Sequence, residues 1–142
     1  NAAAAGGTSP ALDTTYMKTY LRWLVMPGSG GGGGETGDTA GNVAKAGSDG
    51  GRGAGALYIE VGGNLNITGT INANGTPSAS VADALGGCGG GGGAGAIQII
   101  YNYLTANSGT YSVAGGGSGG TCTAAGGAGG AGYSSVTQNT SF

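Results

Sequence analysis

Short stretches of alternating apolar and polar residues recur along this chain, and glycine tracts separate them. Leu57, Ile59 and Val61 alternate with Tyr58 and Glu60; after Gly62-Gly63 the alternation resumes at Leu65 and Ile67 and continues through Ile71 and Ala73. A period of two with a glycine pair in the middle predicts a half-buried antiparallel hairpin. Ile97, Ile99, Tyr101 and Tyr103 repeat the pattern, and Val136 falls on a lone strand near the end.

A different period appears near the start. Tyr16, Met17, Tyr20, Leu21 and Leu24 recur at spacings of three and four after Asp13, with Lys18 and Arg22 on another flank. This predicts one short amphipathic helix capped by Asp13 and ended by Pro27 and Gly28. Its apolar face, with Trp23, either packs on its own subunit or docks on a neighbour, which makes Tyr16, Tyr20, Leu21, Trp23 and Leu24 the candidate docking residues. Residues 1–27 thus read as an N-terminal arm and 28–142 as a glycine-rich repeat domain, with units near 28–75 and 86–115 and a partial one at 116–142.

The glycine tracts have a phase of their own. Gly28, Gly31, Gly34 and Gly37 are three apart, as are Gly47, Gly50 and Gly53 after a slip, and residues 126–132 read GGAGGAG. Three is the period of polyproline II, which makes no internal hydrogen bonds. Glycine at each third position leaves one face without side chains, so rods of this kind can approach and bond laterally. The tract from Gly86 to Ala96 is nearly pure glycine and offers no phase to read. On this basis Gly129→Val is expected to destabilise strongly.

Tracts and strands repeat together. Gly53-Ala54-Gly55-Ala56-Leu57-Tyr58-Ile59 matches Gly93-Ala94-Gly95-Ala96-Ile97-Gln98-Ile99, and Gly69-Thr70-Ile71 matches Gly109-Thr110-Tyr111 at the same offset. The expected fold is therefore mostly β: short antiparallel hairpins alternating with polyglycine II-type tracts, plus one N-terminal helix. A β-solenoid is the alternative.

Composition narrows the chemistry. With 38 glycines among 142 residues, three prolines, 7% charged residues and a net charge of −2, the chain is neither collagen nor a typical charged disordered segment, and it has no electrostatic footprint for nucleic acid. No apolar run approaches the ~20 residues of a membrane helix, so no membrane insertion is expected. The chain opens on Asn1 rather than Met, which points to proteolytic maturation or a fragment.

Histidine is absent, which removes Ser-His-Asp and Cys-His nucleophile systems and a common metal ligand. The carboxylates Asp13, Glu35, Asp38, Asp49, Glu60 and Asp83 are scattered, so no acid–base pair is formed in sequence and no enzymatic role or cofactor is expected. The run Gly33-Gly34-Glu35-Thr36-Gly37-Asp38 is loosely like a β-roll calcium repeat, but its spacing is wrong and a solvated turn carboxylate is favoured. Cys88 and Cys122 sit in successive glycine tracts and form a candidate disulfide; two unpaired small residues are the other reading. Asn66, Asn74 and Asn139 open N-glycosylation sequons.

The run GAGALYIEVGGNLNITGTINANG, from Gly53 to Gly75, resembles the glycine-rich modules of phage tail fibres and large bacterial surface adhesins, in which a glycine run leads into a G-T-I-x-A-x-G-like stretch. The likeness spans roughly residues 28–132, and the tracts resemble polyglycine II bundles. It implies an extracellular, cell-surface or virion location and a structural or adhesive role, but transfers no binding residue. The expectation is a non-enzymatic subunit of an extracellular filament or surface fibre that pairs with copies of itself through backbone contacts and exchanged termini. The alternatives are a phage tail-fibre tip or decoration protein, whose loops and tyrosines Tyr101, Tyr103 and Tyr111 contact a host glycan or protein, and an ice-binding protein.

Overall fold

A computed structural model describes residues 25–38, 44–80, 86–120, 122 and 124–139. Among these residues seven strands appear: β1 (Gly37–Asp38), β2 (Ala44–Lys45), β3 (Leu57–Ile67), β4 (Thr70–Asn72), β5 (Ala96–Asn107), β6 (Thr110–Ser112) and β7 (Tyr133–Gln138). They form a three-stranded sheet in the order β3-β5-β7, a two-stranded β4-β6 sheet and the small β1-β2 pair.

The expected hairpins are not there. β3 pairs in parallel with β5, β5 with β7, and β4 with β6; only the two-residue β1-β2 contact is antiparallel. Gly62-Gly63 is not a hairpin turn but a register shift inside one continuous strand, where the partners step from Val61↔Tyr101 to Asn64↔Tyr103. The chain reverses later, at Thr68-Gly69, and the returning β4 joins a different sheet. The sequence repeat is thus a pairing register: Leu57 lies beside Ile97 and Thr70 beside Thr110, 40 positions apart. Parallel neighbours need a long crossover, and the glycine tracts supply it. Both sheets are open, so the described residues form no closed solenoid either. The predicted helix lies outside the described residues, among which no helix occurs.

The tracts form six extended rods, numbered here in chain order: rod 1 (28–35), rod 2 (47–55), rod 3 (73–79), rod 4 (86–95), rod 5 (113–120) and rod 6 (124–132). Rods 2, 4 and 6 lead into β3, β5 and β7; rods 3 and 5 carry the chain back from β4 and β6. Their backbones bond to one another at every third residue. Gly28, Gly31 and Gly34 donate to Ala54, Gly51 and Ser48, which in turn donate to Gly93, Gly90 and Gly87. Those last three donate back to Ser29, Gly32 and Glu35, closing a triangle of rods 1, 2 and 4. Rod 4 also bonds to rod 6 (Cys88, Gly91 and Ala94 to Ala124, Gly127 and Gly130), to rod 3 (Gly92 to Thr76, Gly95 to Ala73) and to rod 5 (Gly116 to Gly92), at 2.8–3.0 Å. It is the hub, and every residue from 86 to 95 is buried.

The side-chain core lies at the sheet end of the molecule. Leu65, Ala73, Ile97 and Ile99 are buried together, with Ile59, Val61, Ile67, Ile71, Tyr101, Tyr111, Val113 and Val136 packed against them. Residues from both sheets share this cluster, so it fills the space between the sheets. Fully burying Ile97 and Ile99 contributes about 1.5–3 kcal/mol each. The rod end has no such core, and its cohesion comes from close-packed, mutually bonded backbone, each bond giving a net of about 0.5–1.5 kcal/mol.

Candidate assembly surface

The surface of interest is where the repeat stops. β3 is one edge of the three-stranded sheet and β7 the other. Among the described residues β3 pairs on one side only along its 11 residues, with β5. Neither proline nor lysine interrupts it, and Glu60 is its one charge. Such an edge presents a row of backbone donors and acceptors to another strand. At the opposite end β7 reaches only as far as Tyr101 of β5, with Asn139 N donating to Tyr101 O at 2.7 Å just beyond the ladder. The following stretch of β5 carries the two most exposed large apolar side chains described, Tyr103 at 66% and Leu104 at 48%.

The rods end differently. Rod 2 turns Asp49 and Arg52 to solvent, and rod 6 turns out Ala125, Ala128 and Ala131. Side chains on those two faces hold a further backbone away, whereas rod 1 leaves Gly30, Gly32 and Gly33 exposed and rod 5 leaves Gly117 and Gly120 exposed, so the rod stack is covered only in part.

Polar side chains fix the register between repeats. The Asn74 Oδ1 accepts from Ser112 Oγ at 2.8 Å and from Ala114 N at 2.7 Å, locking the first return arm to the second. Ser48 Oγ accepts from Gly89 N at 2.7 Å, Ser80 Oγ from Gly120 N at 3.2 Å, and Thr76 Oγ1 from Arg52 N at 2.7 Å, each replacing a carbonyl in the rod lattice. Sequence reasoning missed this role and singled out Asn74 only as a sequon asparagine. Asn74 and Ala114 stand at the repeat offset, which was the available signal. On the outer face of the sheet Tyr58 donates to Glu60 Oε2 at 3.3 Å; burial, then the Glu60 charge and this bond, raise the phenol above its ordinary 10.0.

Cys88 and Cys122 are joined by a disulfide, their Cα atoms 5.6 Å apart, which ties the start of rod 6 to the hub. The three sequons are not equivalent. Asn66 is exposed at the far end of β3, Asn74 is engaged in the register lock, and Asn139 is half-buried with the rest of its sequon outside the described residues. The docking candidates Tyr16, Tyr20, Leu21, Trp23 and Leu24 also lie outside them, as do Asp13 and Asp83. Glu35, Asp49 and Glu60 are exposed, and no group of three or more His, Cys, Asp or Glu is gathered among the described residues. Among those residues no helix is long and apolar enough to cross a membrane.

No family model, curated relative or solved structure matches the chain.

Proposed function

We propose that this chain is a non-enzymatic structural subunit of an extracellular filament or surface fibre, assembling with copies of itself by backbone pairing. The observation that carries this reading is the open three-stranded parallel sheet, with β3 and β7 as its edges. Its strands are related by a shift along one axis, not by a two-fold rotation. A contact between the β3 end of one copy and the β7 end of another is therefore heterologous, which builds an open filament wherever its rotation does not close a ring.

Concentrating the purified full chain and imaging it by negative-stain microscopy tests the reading. Long uniform polymers of this chain alone are expected. Particles that stay discrete at all concentrations would overturn it.

A second reading, a phage tail-fibre tip or decoration protein that binds a host surface, draws its support from Tyr103 and Leu104. Discrete particles attached to virions would favour it over the first.

A further inference from the structure

The three sequons divide sharply by what their amide and hydroxyl groups are already doing. In Asn74-Gly75-Thr76 the asparagine is half-buried, and its Oδ1 holds both Ser112 Oγ and Ala114 N. The hydroxyl of Thr76 accepts from Arg52 N and donates to Arg52 O at 3.4 Å. Turning the Asn74 amide outward to carry a substituent would strip the register lock between the two return arms. In Asn66-Ile67-Thr68 nothing is engaged in this way: Asn66 and Thr68 are both exposed, and neither side chain has a hydrogen-bond partner among the described residues.

Position adds to accessibility. Asn66 is next to last in β3 and Thr68 begins the reversal into β4, so the tripeptide spans the exposed end of the strand and the start of the turn. The Ile67 side chain between them points to the core cluster, which holds the turn in place and leaves its two polar neighbours outside. Side chains leave a sheet through its faces, whereas edge pairing uses the backbone in the plane of the sheet, so a substituent on Asn66 is compatible with pairing along β3. Across the ladder from Asn64 and Leu65 stand Tyr103 and Leu104, the exposed apolar pair, beside the attachment point.

We propose that Asn66 is the N-glycosylated residue of this chain. The inference rests on the extracellular reading, since the reaction needs a lipid diphosphate-linked oligosaccharide and its membrane transferase. The Asn66 Nδ2 forms a bond to the anomeric carbon of the sugar, and the bond from that carbon to the diphosphate oxygen breaks. The lipid diphosphate leaves with the electron pair, and the amide gives up one proton to a base of the transferase.

The test is glycopeptide mass spectrometry on the full chain secreted through a glycosylating pathway, as wild type and as Asn66→Gln, Thr68→Ala and Asn74→Gln. The expected result is a glycan on the Asn66 peptide, lost completely in the first two variants and retained in the third. Thr68→Ala leaves the asparagine in place, so its loss of glycan marks a sequon effect and not a folding defect; an intact Cys88–Cys122 disulfide in each variant reports the fold. An Asn66 peptide recovered without glycan, whether or not Asn74 or Asn139 is modified, overturns the proposal. Microscopy of the same preparations separates the two readings: unmodified polymers sink the glycan alone, and glycosylated particles that never polymerise sink the filament alone.

Discussion

Rods 4 and 6 run parallel, bonded to each other through Cys88, Gly91 and Ala94, yet their sequences differ: one is almost unbroken glycine and the other reads GGAGGAG. Their surroundings explain the difference. In rod 6 a Cβ at Gly126, Gly129 or Gly132 would sit under 3.0 Å from the backbone of rod 4, while the alanines at 125, 128 and 131 face solvent. In rod 4 even neighbouring residues are blocked, because a Cβ at Gly91 would strike rod 5 at Gly116 and one at Gly92 would strike rod 2 at Arg52. Rod 5 is intermediate: Gly115 faces rod 6, Gly116 faces rod 3, and Gly117 faces nothing within 4 Å. None of these glycines has a left-handed φ. Close backbone approach is what requires them, and within rods 4, 5 and 6 the blocked positions mark the sides on which each rod meets a neighbour.

The largest effect should come from breaking the hub. Gly92→Val places branched carbons against Arg52 O in a rod with no free side, and is expected to cost more than about 4 kcal/mol or to prevent folding; thermal melting or loss of soluble monomeric chain would show it. Gly129→Val, in a rod that meets rods 4 and 5 but turns its alanines to solvent, should unfold the chain less, because rod 6 can shift outward on that free side.

Removing the disulfide comes next. Cys88→Ala with Cys122→Ala frees a loop of 34 positions, and the chain-entropy model puts the loss near 3–4 kcal/mol, measurable by denaturant titration. Hydrogen exchange should locate the loosening in rod 6 and β7, with β3 unchanged.

Asn74→Ala tests the join between return arms. It leaves Ala114 N and Ser112 Oγ without their acceptor, an expected loss of about 1–3 kcal/mol by the same titration. The smallest effect is electrostatic. The Tyr58 phenol is raised, so the stability it contributes is complete below the ordinary 10.0 and is lost as pH climbs through the raised value. Glu60→Gln should move that ionisation down toward 10.0 in a spectrophotometric titration, without a measurable change in melting at neutral pH.

Much of the rod half was legible from phase. Gly28, Gly31 and Gly34, then Gly47, Gly50 and Gly53, then Gly126, Gly129 and Gly132 are three-residue series in the sequence, and each meets a neighbouring backbone. The tract at 86–96 offers no phase because rod 4 is buried along its whole length, but an unbroken glycine run does not reveal this by itself, since the run at 30–34 is also unbroken and partly exposed. The sheet half was harder for a physical reason: alternation at Leu57, Ile59 and Val61 states which face is buried but not the direction of the partner strand. Gly62-Gly63 offered a plausible hairpin turn, whereas the offset between Leu57 and Ile97 already contained the parallel register. At the assembly surface Asn66 and the two cysteines were visible as residue types. The β3 edge and the Asn74 lock were not, because both depend on which strands become neighbours.

The most direct test is one paired measurement, the melting temperatures of Gly92→Ala and Gly117→Ala. A Cβ at Gly92 strikes backbone, and one at Gly117 meets open space. A marked fall for the first with little change for the second, within about 0.5 kcal/mol, is predicted. Equal losses at the two sites would contradict the claim that close approach dictates where glycine stands.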